Sequence, residues 1–207
     1  VVSSRPMLNG KRCRFLRQSS SNLPGFGPNR TARRHRNRPV SGDLALAAAA
    51  QPPNVAWFLD PPLVPGIFTA DPSAHVFGGR LYVYPSHDID AGHPFDDEGG
   101  HFGMEDYHVL CMDTPDGEAR DCGVALHVRD VPWAARQMWA PDCARKDDKY
   151  YLYFPAKRPD GIFQVGVAVS DTPTGPFTAQ PQPIAGSYSI DPAVFGDADG
   201  EFYLYFG

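Results

Sequence analysis

The sequence predicts an all-β protein of the propeller type, and three observations support this fold class. An aspartate that enters a short strand, a tight polar turn and a second strand rich in tyrosine recur three times, beginning at Asp71, Asp142 and Asp191. These aspartates are 71 and then 49 residues apart, which suits four-stranded blades with one long insertion in the first interval. The chain also contains 20 Gly and 22 Pro, as expected for many short strands joined by turns.

The N-terminal segment, residues 1–53, is predicted to be basic and disordered. Residues 1–50 hold ten Lys or Arg and one acidic residue, and no periodic apolar pattern occurs from Val1 to Arg38. Such a composition buries too little apolar surface to offset the entropy of ordering. Because this basic run has no aromatic interleaving, it predicts a solvated tail and no nucleic-acid partner.

Neither a membrane span nor a firm export signal is evident in the sequence. No stretch approaches the roughly 20 apolar residues of a spanning helix, so no membrane partner is predicted. The run Leu44–Gln51 follows Arg-rich sequence, but it is at the lower limit for a signal peptide. The compartment stays open at this point, with an extracellular or periplasmic location weakly preferred over a cytoplasmic one.

The remainder, residues 54–207, is predicted to be an incomplete propeller. The clearest hairpin joins His75–Phe77 to Leu81–Tyr84 through Gly78-Gly79, because two glycines suit the positive φ angles of a two-residue turn. Further runs of strand-forming residues complete the assignment, and the turn 171–177 leads into an edge strand. The predicted blades are blade 1 at about 67–130, blade 2 at about 138–185 and the start of blade 3 at about 188–207.

A long loop interrupts blade 1 between Pro85 and Tyr107 and is rich in Asp, Glu and His. Loops of this length on a rigid scaffold tend to carry binding residues. Its oxygen and imidazole groups suggest a metal site, but they have no fixed ligand spacing. A solvated acidic rim is therefore the preferred interpretation, with no metal assigned.

The four cysteines show no metal-type spacing. Cys111 and Cys122 are placed to face each other across a hairpin, which would suit an oxidising compartment. Buried thiols are nevertheless the expectation, because free cysteine behaves as a small apolar side chain.

The aspartates indicate the chemistry. The first strand of each blade lines the central channel of a propeller, so all three are expected to converge there unless each only caps a turn. Carboxylates in a funnel with aromatic walls suit hydrolysis of glycosidic bonds, and the walls are expected from Trp139, Phe68 and Tyr188. Residues 51–207 contain nine basic and 23 acidic residues, which argues against polyanionic substrates.

Four motifs in register resemble the signatures of family 43 glycoside hydrolases. They are Pro65–Ser73, Met138–Asp142, Gly166–Phe177 and Ser189–Phe195. The resemblance covers about residues 60–207 and implies a five-bladed propeller and an inverting mechanism. It also implies a carbohydrate partner, namely arabinofuranosyl- or xylosyl-containing plant-type oligosaccharides or polysaccharides.

The resemblance also implies roles for particular residues. Asp71 matches the general base, and Asp191 matches the carboxylate that orients the general acid and raises its pKa. The family's acid is a glutamate expected beyond Gly207, so this chain by itself is predicted to be inactive. The residues expected on the substrate side are Trp139, Asp142, Phe68 and Ile190, with a purely structural role left open for Asp142.

No cofactor is expected to be required, and calcium is left open, because no ligand motif supports it. The alternatives are a carbohydrate-binding propeller without catalysis and a different enzyme class, such as a transglycosidase or a retaining hydrolase, on a similar propeller.

Overall fold

A computed structural model describes residues 62–97 and 99–207, together with the backbone of residues 7–8 and 11–17. The described strands form three four-stranded sheets. In chain order they are β1 (Met7–Leu8), β2 (Lys11–Arg17), β3 (Thr69–Phe77), β4 (Arg80–His87), β5 (Asp106–Met112), β6 (Arg120–His127), β7 (Asp142–Lys146), β8 (Lys149–Lys157), β9 (Phe163–Ser170), β10 (Thr178–Ala179), β11 (Ala193–Gly196) and β12 (Phe202–Phe206).

Blade 1 is an antiparallel sheet in the order β3-β4-β5-β6. Its first turn is the predicted one, since Gly78 and Gly79 both have positive φ, at 60° and 81°. The pairing of β3 with β4 shifts register between Ala70 and Ser73. The shift surrounds Asp71-Pro72, because proline has no N–H to donate to the ladder. The irregularity therefore sets Asp71 apart from the regular strand.

Blade 2 repeats the plan in the order β7-β8-β9-β10. β8 and β9 pair without interruption from Tyr150↔Ser170 to Lys157↔Phe163. Apart from the β10 edge, this blade is therefore regular, and it carries two rows of side chains that pack against its neighbours on either side.

The third sheet has the order β1-β2-β12-β11. β11 and β12 form the predicted hairpin, and β2 pairs with β12 in parallel, from Phe202↔Cys13 to Phe206↔Arg17. No regular structure was expected before residue 53, so these strands differ from the sequence-based expectation. A strand edge with unpaired N–H and C=O groups readily accepts another extended segment. The rest of the expected disordered segment lies outside the described residues.

The largest core cluster lies between blades 1 and 2. Tyr107 and Val109 of blade 1 and Leu152 and Phe154 of blade 2 are completely buried. The Tyr107 hydroxyl donates a 2.6 Å hydrogen bond to the carbonyl of Trp139. A buried phenol needs such a partner, and this one ties blade 1 to the chain that enters blade 2.

A second apolar cluster lies on the other face of blade 2. It joins Tyr151 and Val165 to Leu204 and Phe206 of β12. The apolar packing on both faces of blade 2 is that of neighbouring propeller blades. It positions β7 beside both β3 and β11.

Cys111 and Cys122 form a disulfide between β5 and β6, so the expectation of buried thiols is wrong for this pair. Cys143 is a free, buried cysteine at the start of β7. Within the described ranges, the structure contains no helix with the length and apolar character needed to cross a membrane.

Candidate active site

A cleft of about 1220 Å³ opens beside β3 and the segments that enter β7 and β11. Aspartates and aromatic side chains dominate its lining. The lining residues are Ala70, Asp71, Asp88, Phe95, Asp96, Asp97, Gly99, His101, Phe102, Met104, Trp139, Ala140, Lys157, Gly161, Phe163, Ile190 and Asp191.

Asp71 and Asp191 occupy equivalent positions in blades 1 and 3. Both line the cleft, both precede a proline, and both have left-handed backbone conformations, with φ of 47° and 52°. This region is uncommon for residues other than glycine, although aspartate tolerates it better than most. Non-glycine residues held in such conformations cluster at functional sites. The shared backbone strain marks these two aspartates as a pair.

The electrostatics of the pair are asymmetric. Partial burial raises the pKa of Asp191 above its usual value, and the nearby negative charge of Asp71 raises it further. Both effects disfavour the charged form of a carboxyl group. The two carboxylates are thus close enough for their charges to interact within one cleft.

Asp142, the aspartate of the second repeat, does not reach this cleft. Its side chain is buried, and Oδ1 lies 2.6 Å from His75 Nε2 and accepts a hydrogen bond from the Cys143 N–H. Its other oxygen accepts a 2.6 Å bond from the backbone N–H of Val194. The carboxylate therefore ties β3, β7 and β11 together, and the expectation that all three aspartates converge on one funnel is wrong for Asp142.

The prolines give the correct alignment of the three repeats. Pro72, Pro141 and Pro192 follow Asp71, Ala140 and Asp191, respectively. Ala140 lines the cleft at the position that the other repeats give to an aspartate. Asp142 lies two residues further along, so matching by aspartate rather than by proline misplaced it.

Trp139 lines the cleft, where the sequence placed an aromatic wall. Its indole Nε1 donates a 3.0 Å hydrogen bond to the carbonyl of Phe102. Its ring is 6.2 Å from Phe102 in an edge-on contact and 4.6 Å from Phe163. The orientation of the ring is thus set by neighbours on both sides, while its role in substrate binding stays a prediction.

Of the other residues expected beside the substrate, only some line the cleft. Ile190 lines the cleft beside Asp191. Phe68 and Tyr188 are not part of the lining, and their side chains are 79% and 65% exposed. The backbone carbonyl of Phe68 accepts a 2.8 Å hydrogen bond from the Asp88 N–H, so this residue helps to hold the start of the long loop.

The long loop of blade 1 supplies part of the wall that sequence reasoning did not assign by residue. The His101 ring lies between Phe95 and Phe102, with centroid distances of 4.3 and 3.9 Å. Gly99 approaches the Trp139 indole so closely that an added Cβ would lie 2.8 Å from it. The length of the loop was the available signal, because nothing in its composition selects these members.

Phe163 and Lys157 were also missed, although both line the cleft. They are cross-strand partners at one end of the β8–β9 pair, the end that lies beside Trp139. Both residues fall within the predicted blade 2, but Lys157 was not placed in a strand, and the register that sets the two opposite each other was not inferred.

One group of metal-ligand residues lies at the base of the long loop. His87, Asp106 and His108 offer ligand atoms within 4.8 Å of one another. His87 lies 2.7 Å from Asp106, and His108 lies 2.8 Å from Asp121, so hydrogen bonds already satisfy these groups. Two imidazoles with one carboxylate suit a zinc-type ion better than calcium, which prefers oxygen ligands. The expectations on cofactors stay predictions.

Comparison with known proteins decides the family. The family model described as "Glycosyl hydrolases family 43" matches residues 120–207. Xylosidase/arabinosidase 43A of Humicola insolens is 60% identical over 148 residues, which cover 70% of this chain and 45% of that protein. This chain belongs to glycoside hydrolase family 43.

Solved structures of the family agree with this assignment. A family 43 β-xylosidase/α-arabinofuranosidase from a compost microbial metagenome, in complex with xylotriose, has a TM-score of 0.69 and 65% identity. The match covers 71% of this chain and 44% of that one. The enzyme of Xanthomonas citri complexed with xylose has a TM-score of 0.66 and 64% identity, covering 72% of this chain and 43% of its own.

These matches confirm the prediction of an all-β propeller, of which this chain carries two blades and part of a third. The chain spans less than half the length of these relatives.

Proposed function

We propose that the protein containing this chain is an inverting glycoside hydrolase that removes xylosyl or arabinofuranosyl residues from plant-type oligosaccharides or polysaccharides. The observation that carries the proposal is the pair Asp71 and Asp191, two electrostatically coupled carboxylates in one aromatic-walled cleft. The names of the relatives, xylosidase and arabinosidase, support the choice of sugar.

In this proposal Asp71 acts as the general base. Its carboxylate lines the cleft without a hydrogen-bond partner among the residues that the structure describes, so it is free to accept a proton from water. The activated water attacks the anomeric carbon on the face opposite the leaving group, which inverts the configuration. Such an arrangement requires the base and the acid to lie about 6.5–9.5 Å apart.

Asp191 acts through its charge. A carboxylate beside the general acid raises the pKa of that acid, so that the acid keeps its proton until the leaving oxygen accepts it. Burial and, after it, the charge of Asp71 already raise the pKa of Asp191, which supports an effect of one carboxylate on another in this cleft. We assign no general acid within residues 62–97 and 99–207.

The aromatic wall suits a neutral sugar. Trp139 and Phe163 present adjoining rings to the cleft, and aromatic faces are good partners for the C–H face of a sugar ring. Aspartates 71, 88, 96, 97 and 191 share the lining and disfavour anionic substrates.

The disulfide supports an extracellular or periplasmic location. Bonds such as Cys111–Cys122 persist in oxidising compartments and are rare in the cytosol. The location is part of the proposal, and secretion assays of the full-length protein test it.

The decisive experiment measures hydrolysis of aryl β-xyloside and aryl α-arabinofuranoside by the full-length protein. Proton NMR of the first product identifies inversion or retention. Asp71→Asn should reduce turnover by about 10²- to 10⁴-fold while sugar binding persists, whereas Asp148→Asn should not change activity, because that side chain is wholly exposed on a turn. Full activity in Asp71→Asn contradicts the proposal. Sugar binding without hydrolysis in the wild type would instead indicate a carbohydrate-binding propeller.

A further inference from the structure

Lys157 is a cation in an acidic cleft. It ends β8, lines the cleft and is only 9% exposed. Among the described lining residues it is the one Lys or Arg, and it shares the cleft with five aspartates. Lysine is rarely buried to this extent unless it has a partner.

Among the described residues, the Lys157 ammonium has no hydrogen-bond or ion-pair partner. Its contact is with the ring of Phe163, 5.0 Å from Nζ to the centroid. A cation over an aromatic face recovers only part of what an ammonium loses when it leaves water. The donors of this group are therefore available to a ligand.

The backbone of Lys157 is held on both sides. Its N–H donates a 2.9 Å hydrogen bond to the Arg136 carbonyl, and its own carbonyl accepts a 2.8 Å bond from Ala135. Cross-strand pairing with Phe163 sets the register of the two side chains. The ammonium is thus presented from a rigid hairpin, next to the ring that adjoins Trp139.

We propose that Lys157 is a substrate-binding residue whose ammonium donates hydrogen bonds to hydroxyl oxygens of a neutral sugar ring stacked on the Trp139–Phe163 wall. An ammonium has three donors and no acceptor, so adjacent hydroxyl groups of a pentose can each accept one. The five aspartates of the lining make a neutral sugar the better ligand than a uronic acid. This inference rests on the proposed function, since it names the partner of a residue in the same cleft.

The test uses the full-length protein and the substitution Lys157→Met, which keeps the length and apolar character of the side chain but removes the charge. Lys146→Met is the matched control, because the Lys146 ammonium also lies 5.0 Å over a ring, that of Phe202, but outside the cleft lining. Calorimetric titration with xylotriose in an Asp71→Asn background measures binding without turnover. Hydrolysis of aryl xyloside and aryl arabinofuranoside by variants that retain Asp71 gives kcat and KM separately.

We expect Lys157→Met to raise the dissociation constant for xylotriose by about tenfold to a hundredfold, the usual range for loss of a hydrogen bond to a charged group. KM should rise by a similar factor with a smaller change in kcat, and Lys146→Met should match the wild type. A deoxy analogue that lacks the contacted hydroxyl should bind the wild type more weakly than xylotriose does. In Lys157→Met, the analogue and xylotriose should bind equally well. Equal melting temperatures show that folding is unaffected.

Unchanged xylotriose affinity and KM in Lys157→Met overturn the inference while leaving the proposed hydrolysis intact. Tighter wild-type binding of a xylo-oligosaccharide with a glucuronosyl branch, lost in Lys157→Met, also overturns it, since the lysine would then recognise a carboxylate. If the wild type neither binds nor hydrolyses pentosides, the proposed function fails, and this inference fails with it.

Discussion

Asp191 and Asp142 both stand near the beginning of an innermost strand, yet their surroundings are opposite. Asp191 lines an open cleft in a left-handed conformation, and burial with a neighbouring carboxylate disfavours its charge. Asp142 is buried, and its carboxylate is held by His75 and by the backbone N–H groups of Cys143 and Val194. The same residue type thus lines the cleft in one blade and ties strands together in another.

The position relative to proline separates the two roles. The residue before proline is held out of the regular ladder and is presented to the cleft, whereas the residue after it begins the regular strand. Substitutions at the two kinds of position should therefore move different observables.

The largest effect is expected for Asp71→Asn. Loss of a general base typically reduces kcat by about 10²- to 10⁴-fold. Stability should change little, because Asp71 is exposed and makes no hydrogen bond within the described residues. Enzyme assays paired with thermal melts measure both quantities. A large fall in melting temperature with unchanged kcat would contradict the difference between the cleft aspartate Asp71 and the buried Asp142.

The second effect is a loss of stability on the order of 3 kcal/mol in Asp142→Ala. The substitution leaves the half-buried Val194 N–H and the His75 ring without their carboxylate partner. Urea denaturation of the full-length protein measures the change. In a double-mutant cycle with His75→Phe, strictly additive effects would contradict a shared network.

Third, Trp139→Ala should raise KM by about tenfold, because it removes one ring of the wall and the hydrogen bond to the Phe102 carbonyl. Trp139→Phe should show a smaller increase, since a ring remains. Phe68→Ala is the matched aromatic control, because Phe68 lies outside the cleft lining, and its KM should stay at the wild-type value. Equal increases in both alanine variants would remove the distinction between the wall and the exterior.

The smallest effect concerns pH and Asp191→Asn. The folded state raises the pKa of Asp191, so the folded protein binds this proton more readily than the unfolded chain. Asp191 therefore lowers stability at pH values above its folded pKa, and this penalty disappears below the ordinary carboxyl pKa of about 4. Asp191→Asn should melt slightly higher than the wild type at neutral pH, and the difference should vanish in acid. A variant that melts lower at neutral pH would contradict this sign.

The sequence was most informative where local chemistry decides the structure. The Gly78-Gly79 turn, the strands of blade 2 and the placement of Trp139 in the cleft wall follow from turn residues, alternation and motif. Asp71 and Asp191 were selected by the recurring aspartate and the motif resemblance, and only the proline that follows each of them distinguishes them from Asp142.

The remaining features depend on contacts distant in sequence. Lys157 and Phe163 enter the site through cross-strand register, which composition does not reveal. The burial of Asp142 depends on His75 and Val194 in two other sheets. The pairing of β2 with β12 depends on an available strand edge more than on any pattern in residues 11–17.

Cys143 adjoins Asp142 and gives the molecule an intrinsic chemical reporter. Burial raises the pKa of this thiol to about 12, so in the closed structure it is both protonated and shielded. Because Cys111 and Cys122 are already oxidised, Cys143 is the free thiol of residues 62–207. The rate at which an alkylating reagent reaches it therefore records how often the interface between blades 1 and 2 opens, without any added label.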